Sequence, residues 1–142
     1  RALRYGTCVC SIRRDSQRRA NIWFSTLFGG GTNYAHGEDT LFLCDAFRRG
    51  LRVYTSSFCL GTCAKDASTC FHGFDEKYFH DQGVLYRAAF GAAAAPLCLR
   101  FCLKRYSAYR GEMTLFRALR AMYRGTHETP RDKRPQRGTG AQ

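Results

Sequence analysis

Phe28-Gly29-Gly30-Gly31-Thr32-Asn33-Tyr34-Ala35-His36-Gly37-Glu38-Asp39-Thr40-Leu41-Phe42-Leu43 is the stretch on which the fold turns. Three consecutive glycines, with a fourth at Gly37, make a loop whose backbone can come close to another group because no Cβ stands in the way. The loop runs directly into two carboxylates and then into Thr40 to Arg49, where Leu43 and Phe47 share one helical face and Asp45, Arg48 and Arg49 are polar. Gly50 follows in the position of a C-terminal cap, so the spacing predicts a helix that starts near Glu38 and stops before Gly50.

Upstream, Asn21 to Phe28 is rich in aromatic and branched residues and ends at the glycines, which predicts a short strand. Leu51 to Phe58 predicts a second, and the short link through Gly50 makes a helix-to-strand unit of the kind used by α/β layers. A polar loop from Cys59 to Gly73 carries Lys65 and His72. From Asp75 to Gly91 the residues Tyr78, Phe79, Gln82 and Leu85 recur at helical spacing, and Pro96 marks the first turn of another helix reaching about Tyr109. The 12 uncharged residues from Ala88 to Leu99 fall short of the about 20 needed to cross a bilayer. A last helix, Glu112 to Arg124, sets Leu115, Phe116, Leu119, Met122 and Tyr123 against Arg117, Arg120 and Arg124, and Gly125 ends it.

The chain of 142 residues has the length of one domain, and 44% hydrophobic residues supply a core. Its 23 Lys and Arg against 11 Asp and Glu leave a net charge of +12, which favours an anionic partner. Cys44, Cys98 and Cys102 lie in apolar, helical stretches and read as small hydrophobes. No cysteine pair has the spacing of a typical zinc knuckle, so no metal site is assigned and free thiols in a reducing compartment are expected; Cys59, Cys63 and Cys70 with His72 are the competing metal set. Arg1 to Arg19 is basic without an apolar core, which predicts no signal peptide and a cytoplasmic location.

A carboxylate in the first turn of a helix faces free backbone N–H groups and the positive end of the helix dipole, which favour its charged form. Glu38 and Asp39 therefore read either as helix caps or as a base held at the rim of a pocket. The glycine run does not match a phosphate loop, which needs a terminal Gly-Lys-Ser/Thr.

The stretch from Phe28 to Leu43 resembles the acceptor-side, C-terminal part of bacterial family 2 glycosyltransferases, which build cell-surface polysaccharides. Ser68-Thr69-Cys70-Phe71-His72-Gly73-Phe74-Asp75-Glu76-Lys77-Tyr78-Phe79 resembles the loop and helix that follow in that family, and the likeness spans about residues 20 to 128. The resemblance implies an α/β fold, a partial GT-A-like fragment with short strands and a helical C-terminal part. It implies the acceptor-side portion of the catalytic domain over 21–74 and a helical region over 75–125, while the arginines and sparse apolar residues of 1–20 predict a basic flexible lead and the prolines and charges of 126–142 a disordered tail. It further implies an inverting transfer from a nucleotide-sugar donor to a saccharide or lipid-linked acceptor. Asp39 would be the general base and Glu38 would orient the acceptor. Gly29, Gly30, Gly31, His36, Lys65 and His72 would contact substrate. Mg²⁺ or Mn²⁺ is implied for the complete enzyme.

The family's nucleotide-binding half has no counterpart here, and no Asp-x-Asp occurs in the 142 residues, so the chain by itself is expected to be inactive. The arginines and apolar stripe of the last helix fit an anionic membrane surface, giving a peripheral location at the inner face of the cell membrane. Nucleic acid is not the expected partner, because it leaves the glycine loop and the acid pair without a role. A basic nucleic-acid-binding module using the aromatics of Phe101 to Arg110 or Phe116 to Arg124, and a decayed product without activity, are the competing readings.

Overall fold

The computed structural model describes residues 10–54, 56–57 and 73–130. Five α-helices form among them: α1 (Arg14–Arg19), α2 (Glu38–Arg48), α3 (Glu76–Phe90), α4 (Ala94–Tyr109) and α5 (Leu115–Thr126), with a 3-10 turn, Gly91–Ala93, between α3 and α4. The α/β arrangement is corrected here. Among the described residues there is no strand, only a single isolated bridge between Phe28 and Tyr34.

In the two segments expected to be strands, Ile22, Phe24 and Leu51 pack on a helix rather than in a sheet, Val53 and Tyr54 are exposed, and Thr55 and Phe58 lie outside the described residues. Ile22 is buried with Phe42 and Ala46 of α2, and Phe24 stacks on Phe42 with ring centroids 4.3 Å apart. Leu51 folds back onto the same cluster, because the end of α2 turns through a Schellman motif: Gly50 N–H donates to Phe47 O and Leu51 N–H to Ala46 O. Gly50 makes this turn at φ +74°. α1 likewise places a short helix within the lead expected to be flexible.

The buried face of α2 is Leu41, Phe42 and Ala46, not Leu43 and Phe47; Phe47 is half exposed. α2 sits between α3, which meets Leu41, and the Ile22 segment, which meets Phe42 and Ala46, so its apolar stripe is rotated from the one spacing suggested. α3 is the central element. One side of it packs with Phe28 and Leu41 through Val84, Leu85 and Ala89, and its Phe79 packs with Cys98, Cys102, Tyr109 and Met122. The Asp75 side chain caps α3 by accepting from Tyr78 N–H at 2.7 Å, and Thr114 caps α5 in the same way.

Glu76–Tyr109 is long and apolar enough to cross a membrane by length and composition. It does not run straight. The chain reverses at Gly91, α3 buries Asp81 and Gln82, and the Phe79 ring near the start of α3 lies 4.8 Å from that of Tyr109 at the end of α4. α3 and α4 are therefore an antiparallel hairpin. α5 closes on α3 at backbone distance, where a Cβ at Gly83 would overlap the Met122 carbonyl and one at Gly125 would overlap that of His80. Gly125 thus lies inside α5 and lets it approach α3, rather than ending the helix.

The two clustered thiols belong to this core. Burial pushes Cys98 up to about 12 and Cys102 to about 11. Cys59, Cys63, Cys70, His72 and Lys65 lie outside the described residues.

Candidate functional site

The glycine run forms a tight reversal. Gly29 N–H donates to Tyr34 O, Tyr34 N–H to Leu27 O and Thr32 N–H to Gly29 O, while the Thr32 hydroxyl lies within 3.1 Å of three loop carbonyls. Phe28 and Tyr34 stack across it with centroids 4.7 Å apart. Gly29 adopts φ +123°, and the place its Cβ would occupy is 3.4 Å from the Glu38 carboxyl. The Glu38 carboxyl therefore faces the Cβ-free side of Gly29. Gly31 has φ +79° and faces open space, and Gly30 is exposed.

Gly37 provides the entry to α2. It takes φ +113°, and an added Cβ would lie 2.7 Å from the Leu85 methyls, so the position requires glycine both for its conformation and for its neighbour. Glu38 and Asp39 then open the helix, both half-buried. Asp39 Oδ1 accepts the N–H of Thr40 at 2.8 Å. Among the described residues no ion pair engages either carboxylate. Asp39 therefore presents a carboxylate whose second oxygen is not committed to a described cation.

His36 is turned toward α3. Its Nε2 lies 2.9 Å from Gln82 Oε1 and its ring stacks on Tyr78 at 5.1 Å, so this histidine holds the loop on the helix.

The anchor of the loop is a residue that spacing did not single out. Asp81 is almost fully buried; its Oδ2 accepts Ala35 N–H at 3.1 Å and Lys77 Nζ at 2.6 Å, and Lys77 also reaches Asn33 O. His80 lies 3.5 Å from Asp81 Oδ1 and 3.0 Å from Glu128 Oε1, and the Tyr34 hydroxyl donates to Glu128 Oε2. Burial first, and then Glu128, raises the Tyr34 hydroxyl above its ordinary value. α3 and Glu128, two residues beyond α5, therefore grip the loop at Asn33 to His36. The one local signal was the i,i+4 spacing of Lys77 and Asp81 on a helix whose other inward residues are mostly apolar.

A cavity of about 250 Å³ opens one turn further along α2, between Phe28, Leu41, Asp45, Arg48, Arg87 and Pro130. Arg48 pairs with Asp45 at 3.5 Å and donates to Ala89 O, which ties α2 to α3 below this opening. A larger depression of about 410 Å³ is lined by α5 and His127 alone and shares no residue with the acid pair, so size does not identify the chemistry.

Among the described residues no three His, Cys, Asp or Glu side chains cluster as metal ligands, so the Mg²⁺ or Mn²⁺ implied by the resemblance has no ligand set there. The arrangement places a carboxylate able to accept a proton at the start of α2. No protein family, curated protein or solved structure matches this chain.

Proposed function

We propose that the chain supplies the acceptor-side base of an inverting glycosyl transfer, with Asp39 as that base. The observation that carries the reading is that Asp39, at the start of α2 beside Glu38, has no described cationic partner, while the Glu38 carboxyl faces the side of Gly29 on which a Cβ would stand. In this step Asp39 takes the proton of an acceptor hydroxyl while the acceptor oxygen bonds to the anomeric carbon. The bond from that carbon to the nucleoside diphosphate breaks, and the departing phosphate keeps the electron pair. Inversion requires the base on the face opposite the leaving group, which suits a carboxylate at a helix rim better than one in a closed core. Glu38, packed on Gly29, keeps the loop in register so that the acceptor meets Asp39. The donor is held elsewhere, by a nucleotide-binding half.

The test is to read the coding sequence preceding this chain and to express the longer protein. We expect a donor-binding half there, and transfer from labelled nucleotide sugars to envelope acceptors that falls by about 10²–10⁴-fold in Asp39→Asn. Wild-type turnover in Asp39→Asn, or a preceding sequence with no nucleotide-binding half, contradicts the proposal.

A further inference from the structure

The outer surface of α4 and α5 carries apolar side chains that the fold leaves uncovered. On α4, Leu99, Leu103 and Tyr106 recur at i, i+4 and i+7 and are 42%, 55% and 43% exposed. On α5, Phe116 is 74% exposed and forms, with Leu119 and Tyr123, the apolar lining of the 410 Å³ depression. The two rows meet side by side, because the Tyr123 hydroxyl donates to the carbonyl of Ala95, one turn before Leu99. The exposed apolar residues thus lie on two neighbouring helices that touch at this point.

The charge of this surface is predominantly positive. Between residues 94 and 120 the basic residues are Arg100, Lys104, Arg105, Arg110, Arg117 and Arg120, all exposed, and the one acid is Glu112. The Glu112 carboxylate, itself exposed, accepts Phe74 N–H at 2.7 Å. Arg105 lies over the Phe101 ring and Arg117 is 4.0 Å from Glu76, which leaves Arg100, Lys104, Arg110 and Arg120 without an ion pair among the described residues.

We propose that the α4–α5 face docks on an anionic lipid surface, with Leu99, Leu103, Tyr106 and Phe116 entering the headgroup boundary and the basic residues meeting the lipid phosphates. Apolar residues flanked by long cationic side chains suit such an interface, since the aliphatic stems lie along the acyl boundary while the charges stay with the headgroups. A duplex nucleic acid would use the cations and leave the leucines in water. A second copy would bring the four unpaired cations against four more. The inference rests on this face alone and is independent of the role given to Asp39.

The test uses the full 142-residue chain and sedimentation with vesicles of phosphatidylcholine, with or without phosphatidylserine. The chain is expected to sediment with the mixed vesicles and stay in solution with phosphatidylcholine alone. L103S/F116S and K104E/R120E, each with unchanged far-ultraviolet circular dichroism, are each expected to weaken binding by about tenfold or more. Equal partition into both vesicle types, no binding to either, or wild-type binding by L103S/F116S overturns the proposal. So does a dimer that is lost in L103S/F116S, or binding to an oligonucleotide that prevents vesicle binding and is itself indifferent to L103S/F116S.

Discussion

Replacing Asp81 by alanine removes the acceptor for Ala35 N–H and for Lys77, in a pocket that is almost closed to water. Ala35 N–H loses its partner while the Lys77 ammonium, 60% exposed, stays hydrated, so the change should cost about 1–2 kcal/mol in urea unfolding, and the loop amides from 29 to 37 should exchange faster with solvent. Unchanged stability would show that Asp81 does not hold the loop. The thiols give a second residue-scale expectation: Cys98 and Cys102, buried and protonated to high pH, should be alkylated more slowly than the partly exposed Cys10 when the modified peptides are resolved by mass. At this scale the placement of Glu38 and Asp39 at a helix start was legible, because the glycines and the following periodic run are local. Asp81 was not, since its loop partner Ala35 lies 46 positions away and only the fold brings them together.

Gly83→Ala and Gly125→Ala test the helix pair α3 and α5. Each added methyl would meet backbone rather than a side chain able to move aside, so each should destabilise by about 3 kcal/mol or more, although alanine is the better helix former. A stabilised variant would mean that the two helices do not touch there. The same pair shows what local pattern can and cannot tell. Asp75, Gly91 and Pro96 bracketed α3 and α4 correctly, because caps and prolines act within one turn. Gly125 was read as a stop, because a glycine that ends a helix and one that admits a neighbouring backbone look alike in one dimension. Asn21 to Phe28 carried the composition of a strand, but Ile22 and Phe24 find α2 as their partner. Strand formation needs a neighbour that no window of sequence contains.

For the molecule as a whole, the buried acids of the core set its response to alkali. Cys98 is pushed to about 12 from 9.0, Cys102 to about 11 from 9.0 and Tyr109 to about 12 from 10.0, burial being the main cause in each. The unfolded chain loses these protons first, so the stability they protect is whole below about pH 9 and falls as pH rises from there toward about 12. Urea titrations along that range should show it; a flat profile would place these groups in water. Far-ultraviolet circular dichroism should report helix, in keeping with α2, α4 and α5 packed on α3.

The function proposed for this framework rests on one carboxylate. The most direct measurement is chemical rescue in the longer, donor-binding protein, with Asp39 replaced by glycine and formate added as an external base. Transfer should be lost in Asp39→Gly and should return in proportion to formate, because a small carboxylate can occupy the vacated position and take the acceptor proton. If Asp39→Gly keeps full turnover without formate, Asp39 is only a helix cap and the proposed base lies elsewhere.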